Sequence, residues 1–86
     1  MSEMIRYRRA NVPIVKNGVH PLVRWIWREI NNQKCSQHDV SARSGVSASA
    51  MRKWRLNNRN PRIIELEAVI NALGARLVVR VEDSDA

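Results

Sequence analysis

The fold is decided by residues 36–54, which read SQHDVSARSGVSASAMRKW. Two serines in this stretch, Ser36 and Ser47, are of the type that caps a helix N-terminus, and Asp39 completes the pattern of a capping box after Ser36. Gly45 stands between them, and glycine readily adopts the positive φ with which a chain leaves a helix. The stretch therefore predicts two short helices joined by a tight turn at the glycine.

The second of these helices has an apolar face and a polar face. Ala50, Met51 and Trp54 recur at helical spacing, so they are predicted to face the core. Val40 of the preceding helix and Val46 of the turn supply apolar surface against which they pack. The remaining side chains of the helix are polar or small and are predicted to face away from the core.

The flanking sequence predicts two further helices. Pro21 is well placed to open the first of them, since its missing N–H costs nothing at that position. The last begins at Pro61 or Arg62 and is closed by Gly74. Together the four helices make a mainly α domain over residues 21–74. Their apolar stripes are Leu22, Trp25, Ile26 and Ile30 in the first helix and Ile63, Leu66, Val69, Ile70 and Leu73 in the last.

Residues 1–20 and 75–86 lie outside these helices. The first segment is predicted to be an extended basic arm, with a short edge strand at 12–15 as an alternative, because proline is confined to edge strands. In the second segment, residues 77–81 alternate between two faces with the period of a strand. We therefore expect a short C-terminal β-strand followed by an acidic tail.

Each of the three tryptophans matters, because the chain contains no phenylalanine. Trp25 and Trp54 are predicted to lie in the core, whereas Trp27, on the opposite face of the first helix, is predicted to be half exposed or at a subunit contact. Cys35 is interpreted as a small core residue. Asn57 is predicted to end the third helix, because asparagine tolerates the left-handed conformation better than most residues.

The charge of the chain is concentrated in one part of it. The 15 Lys and Arg residues outnumber the 8 Asp and Glu residues, for a formal net charge of +7, and residues 1–62 hold 13 of the basic but only 3 of the acidic residues. An ordinary solvated surface mixes both signs, so a one-signed stretch indicates a polyanionic partner. The stretch from residue 40 to 62 contains no acid and six basic residues, Arg43, Arg52, Lys53, Arg55, Arg59 and Arg62.

Several other classes of function are not supported by the sequence. It has no apolar run of membrane-spanning length and no apolar segment of a secretory signal, which predicts a cytoplasmic protein without a membrane partner. The single Cys35 cannot form an internal disulfide, and no metal-ligand spacing surrounds it. His20 and His38 lack catalytic companions. We therefore expect neither an enzyme nor a cofactor.

The pattern over residues 22–74 resembles the helix-turn-helix domain of the phage repressor and Cro family, also called the xenobiotic-response-element family. The resemblance implies a four-helix Cro/repressor-like fold whose third helix, residues 47–56, enters the DNA major groove. It is carried by Gln37, Val40, Gly45, Val46, Ser47, Met51, Trp54, Pro61, Leu73 and Gly74.

Transferred position by position, the resemblance also implies which residues contact double-stranded DNA. The implied base contacts are Ala48, Ser49, Arg52 and Lys53, and the chemistry agrees, since Arg and Lys bond guanine and an alanine methyl can touch that of thymine. Phosphate contacts give affinity and register but do not read sequence. The resemblance assigns them to Gln37, Ser47, Asn58 and Arg59, and we add Arg43 to the predicted phosphate contacts. Arm contacts, including the minor groove, are considered for Arg6, Arg8 and Arg9, with a solubilising tail as the alternative.

The sequence therefore predicts a nucleoid-associated transcriptional regulator, of repressor type, that binds an inverted repeat as a homodimer. The candidate dimer contacts are residues 77–81, paired with their symmetry mate or with residues 12–15, and the apolar remnants of the last helix. An antitoxin that also captures a toxin partner is the first alternative. Nonspecific compaction of nucleic acid is the second, and it would show the same steep salt dependence on every duplex.

Overall fold

A computed structural model describes residues 14–82 of the chain. Within this range it contains four α-helices and no strand, so the predicted mainly α architecture is confirmed. The helices are α1 (Pro21–Gln33), α2 (Gln37–Ser44), α3 (Ala48–Arg55) and α4 (Ile63–Ala72).

The boundaries of α2 and α3 follow from local hydrogen bonds. The Ser36 hydroxyl accepts from the Asp39 N–H at 3.1 Å, and the Asp39 carboxylate accepts from the Ser36 N–H at 3.2 Å, which completes the predicted capping box. Gly45 ends α2 with a φ of 78°. The Ser47 hydroxyl then accepts from the Ala50 N–H at 3.1 Å and caps α3. We call residues 36–55 the α2–turn–α3 unit.

One apolar core joins all four helices. α2 packs on α3 and α4, and α1 packs on α3 and α4. The core residues predicted in the α2–turn–α3 unit are all buried. The largest fully buried side chains are Trp54, Ile26, Met51, Val23, Val40 and Val69.

The apolar stripe of α1 differs from the prediction. The buried residues are Val23, Ile26, Trp27 and Ile30, whereas Leu22 and Trp25 are only half buried. Trp27 is 4% exposed, so its predicted half exposure is wrong. The reason is that α1 is covered on two sides, and the guanidinium of Arg55 in α3 lies 5.3 Å from the centre of the Trp27 ring.

α4 begins one residue after Arg62, whose N–H donates to the Glu65 carboxylate at 3.1 Å. The chain leaves the end of this helix through Gly74 with a φ of 86°. The predicted stripe of α4 is buried from its second turn onward. Ile63 is 70% exposed instead, because the first turn of α4 extends beyond the core.

The predicted C-terminal strand is not formed, since residues 75–82 are neither helix nor strand. A strand needs a neighbour to accept and donate its backbone hydrogen bonds, and the described part of the chain offers none. Leu77 packs against the core, but Val78, Val79 and Val81 are exposed. The alternative strand at 12–15 lies partly outside the described residues, and 14 and 15 are not in a strand.

Between residues 14 and 82, no helix has both the length and the apolar character that crossing a membrane would require.

Candidate nucleic-acid interface

The exposed face of α3 gathers the four side chains assigned to base contacts. Ser49, Arg52 and Lys53 are exposed and Ala48 is half buried, while the opposite face of the helix is buried in the core. An α-helix with its side chains is about 10–12 Å across, which is compatible with the width of about 12 Å of the DNA major groove. None of these side chains is hydrogen-bonded or ion-paired to another described residue. Within the described part of the chain, the donors of Ser49, Arg52 and Lys53 are therefore not used by another side chain or carbonyl.

The start of α3 combines a backbone cap with a free hydroxyl proton. Ser47 is exposed, and its Oγ accepts the Ala50 N–H, which leaves the O–H of the same group as a donor. The N-terminal end of a helix also carries partial positive charge. Ser47 is therefore well suited to donate to a phosphate oxygen, as the sequence predicts.

Gln37 is the first residue of α2, directly after the Ser36 cap. Its side chain is half buried, and its Oε1 is buried without a hydrogen-bond partner among the described residues. The amide of this side chain is the group that would donate to a phosphate. The predicted phosphate contact of Gln37 thus depends on a side chain that is partly enclosed.

The loop after α3 contains two predicted phosphate contacts, of which Asn58 is exposed and Arg59 is ion-paired. Asn58 is exposed, and its backbone N–H donates to the Lys53 carbonyl at 2.8 Å. Arg59 forms an ion pair with Glu65, with Nη2 and Oε2 separated by 3.5 Å. Glu65 also caps α4, so one acid fixes both the helix start and the direction of Arg59. The pair orients Arg59, and the Glu65 carboxylate offsets the positive charge that Arg59 presents at this surface.

Two of the six basic residues of the acid-free stretch serve the fold. Nη1 of Arg43 donates to the Ala72 carbonyl at 3.2 Å, which satisfies an open carbonyl at the end of α4. Arg55 is half buried, and its Nη1 donates to the Ile14 carbonyl at 3.0 Å. The Arg43 bond competes with the predicted phosphate contact. Sequence reasoning missed the role of Arg55, because its partner lies 41 positions away and no local pattern marks it.

Asp39 is the one acid at the start of α2. The Ser36 backbone N–H and then the Ser36 hydroxyl stabilise the carboxylate and lower the pKa of Asp39 below its usual value, with smaller contributions from Arg43 and His38. Asp39 is therefore charged at neutral pH, and its charge is used to hold the helix cap. This capping role explains why an acid is present at the edge of a basic surface.

The arm residues Arg6, Arg8 and Arg9 lie outside the described residues, and their predicted contacts stay predictions. The described chain begins at Ile14, next to the C-terminal end of α3, where the Lys16 N–H donates to the Arg55 carbonyl at 3.0 Å.

In comparisons with known proteins, no family model matches the chain, and no curated protein or solved structure matches it significantly.

Proposed function

We propose that this protein is a sequence-specific double-stranded DNA-binding transcriptional regulator of repressor type, with α3 as the recognition helix of a Cro-like helix-turn-helix. One observation carries the proposal. α3 buries Ala50, Met51 and Trp54 while it exposes Ser49, Arg52 and Lys53, and it does so within a stretch that contains no acid. A positively charged helix whose exposed donors have no partner within residues 14–82 suits the base edges of the major groove.

The position and the donor groups of each side chain decide whether we assign it to a base or to a phosphate. Arg52 and Lys53 have the reach and the donors to bond guanine, and Ser49 can bond either type of base edge. Ser47, Asn58 and Arg59 flank α3 and are assigned to phosphates, which set the register of the helix on the duplex.

Selection of duplexes by the purified protein, followed by binding measurements, tests this assignment. Arg52→Ala is expected to weaken binding to the selected site about 5- to 150-fold for each half-site, the equivalent of one lost bidentate base contact in each subunit. Arg28→Ala removes the same charge from an exposed position on α1 and is the matched control, with less than about a twofold effect expected.

If neither Arg52→Ala nor Lys53→Ala changed the affinity for the selected site, α3 would not be the recognition helix. If scrambled duplexes competed as well as the selected one at every salt concentration, the protein would be a nonspecific nucleic-acid binder instead.

We further propose that the regulator acts as a homodimer through its C-terminal segment. Val78, Val79 and Val81 are 66%, 92% and 89% exposed, although valine favours a half-buried sheet surface. Two copies can complete each other's backbone hydrogen bonds as an antiparallel pair. Two-fold symmetry would also suit an inverted repeat whose half-sites are about 34 Å apart.

The sequence of this segment is self-complementary in one antiparallel register. With Val79 opposite Val79 of the partner subunit, Leu77 faces Val81 of the partner subunit on an entirely apolar side. On the other side, Arg76 faces Glu82 of the partner subunit. Cross-strand apolar and opposite-charge pairs of this kind stabilise sheets.

Sedimentation equilibrium tests the dimer. The protein is expected to be dimeric at micromolar concentration, and Val79→Asp is expected to make it monomeric, because two carboxylates would meet at the symmetry axis. Arg76→Glu should weaken the dimer and Arg76→Glu with Glu82→Arg should restore it. A monomeric wild type would contradict the proposal and would favour the antitoxin alternative, in which another protein covers the segment.

A further inference from the structure

An apolar groove lies between α1 and the chain that leaves α4. It has a volume of about 130 Å³, and all but one of its lining residues are apolar. The Ala75 N–H donates to the Ile70 carbonyl at 3.1 Å, which holds the chain against the end of α4 and fixes one wall. An apolar cavity of about 150 Å³ can hold a molecule as large as benzene, so this groove has room for one branched aliphatic side chain. The lining residues are Leu22, Trp25, Ile70, Ala75, Arg76 and Leu77.

Trp25 is the tryptophan that the described residues leave partly exposed. Its side chain packs against the core but is only half buried, whereas Trp27 and Trp54 are 4% and 1% exposed. Val79 and Val81, which follow the groove wall in the chain, are 92% and 89% exposed. A partly exposed tryptophan in a groove from which a run of exposed valines begins is typical of a protein–protein contact, since aromatic residues are enriched at interfaces.

The proposed dimer register places a side chain of the partner subunit beside this groove. Side chains two residues apart on a strand share a face, so Val79 and Val81 share the face of Leu77, which packs against the core. With Val79 at the symmetry axis, the residue opposite Leu77 is Val81 of the partner subunit. The two Cβ atoms of such a pair are about 4.5–5.5 Å apart. Val81 of the partner subunit therefore lies next to the groove wall.

A pair of C-terminal segments also needs a surface on which to pack. An isolated two-stranded sheet is only marginally stable in water, and packing against a helix supplies the missing apolar contact. Specific interfaces bury about 1,200–2,000 Å² in total, which is more than a pair of short strands provides. The groove and α1 add area to the strand pair, and two-fold symmetry adds it twice. The charges at its edge are complementary as well, since Arg76 faces Glu82 of the partner subunit.

We propose that the groove formed by Leu22, Trp25 and Ile70 receives Val81 of the partner subunit, so that each subunit of the dimer covers α1 of the other. This inference rests on the proposed function and completes its homodimer. It makes Trp25 a subunit contact, a role that the sequence suggested for Trp27. Trp27 is buried within its own subunit, whereas the ring of Trp25 is partly exposed to a second copy.

The first experiment observes the three tryptophans directly. Protein that carries 5-fluorotryptophan gives one fluorine NMR resonance for each of them, and Trp25→Phe assigns the resonance of Trp25. In the dimeric wild type this resonance should differ in shift from that of the monomeric Val79→Asp variant, because an apolar side chain replaces water at the ring. The resonances of Trp27 and Trp54 should coincide in the two proteins. A Trp25 resonance with the same shift in both would overturn the inference.

The second experiment compares two valines on opposite faces of the segment. Val81→Ala removes two methyl groups from each of the two grooves, so the dimer dissociation constant is expected to rise about a hundredfold in sedimentation equilibrium. Val78→Ala removes the same atoms from the other face of the strand and is the matched control for the loss of β propensity. Its effect should be at least about tenfold smaller. Both residues are exposed in the single subunit, so neither change endangers the fold, and equal weakening would overturn the inference.

The results also separate this inference from the proposed function. If Val79→Asp dissociates a wild-type dimer but the Trp25 resonance and the two alanine variants show no difference, the strands pair away from the groove and only this inference is wrong. If the wild type is monomeric, the proposed homodimer falls with it. Recognition of DNA bases by α3 is tested separately by Arg52→Ala and does not depend on either result.

Discussion

The α2–turn–α3 unit and the C-terminal segment 75–82 differ in how the hydrogen bonds of their backbone N–H groups are made. The unit closes its own helix ends through Ser36, Asp39 and Ser47, all within three residues of the groups they cap. From Arg76 to Glu82, no backbone N–H is bonded to another described residue, and three valines are exposed. A segment whose hydrogen bonds are local can form all of them within one chain. A segment with the pattern of a strand needs a neighbouring strand to bond its backbone N–H and C=O groups.

The largest difference in the free energy of unfolding is expected between a substitution in the core of the unit and one in the C-terminal segment. Trp54→Ala removes a fully buried side chain and is expected to lower the free energy of unfolding by about 3–5 kcal/mol, enough to unfold a domain of this size. Val79→Thr, on the exposed segment, is expected to change it by less than about 0.5 kcal/mol when both variants are measured at concentrations too low for the proposed dimer to form. Urea denaturation measures both. A comparable loss in the two variants would place the C-terminal segment in the core.

The turn of the unit is expected to show the next largest effect. At Gly45, with a φ of 78°, an added Cβ would meet nothing within 4 Å, so Gly45→Ala tests backbone strain alone. The left-handed conformation costs a non-glycine residue about 1–2 kcal/mol, and that loss is expected in the free energy of unfolding. Gly45→Asn is the control and should lose less, since asparagine tolerates this conformation. Equal losses would point to a cause other than φ.

The helix caps are expected to contribute less than the turn. Ser36→Ala should lower the free energy of unfolding by about 1 kcal/mol, because the Asp39 N–H loses its acceptor. Ser47→Ala should cost a similar amount through the cap of α3. Asp39→Ala added to Ser36→Ala should cost less than the sum of the two single changes, because both belong to one capping box. Strict additivity in thermal or urea unfolding would show that the two bonds act independently.

This ranking reflects what a sequence can and cannot predict. The capping and turn residues depend on groups no more than three positions away, so sequence spacing predicts the roles of Ser36, Gly45 and Ser47. The left-handed φ of 60° at Asn57 agrees with the tolerance of asparagine for that conformation. The burial of Trp27 was not predictable, because α1 is apolar on two faces and the choice between them depends on what covers each.

On the candidate nucleic-acid surface too, local patterns were predictable and contacts between distant positions were not. The exposed positions of α3 followed from helical periodicity around Met51 and Trp54, and the structure places them as expected. The bond from Arg55 to the Ile14 carbonyl could not be predicted, because a contact across 41 positions leaves no local signal in the sequence. Net charge likewise could not show that Glu65 pairs with Arg59.

The smallest expected effect concerns the charge of Asp39 in the capping box. Since bonds from Ser36 lower its pKa in the folded protein, this carboxylate stabilises the fold above its ordinary pKa, about pH 4, and the contribution is lost as the pH falls through the lowered pKa. Asp39→Asn should therefore have a lower thermal midpoint than the wild type near neutral pH, and the difference should shrink in acid. A difference that did not shrink as the pH was lowered would mean that the advantage of Asp39 over asparagine does not come from its charge.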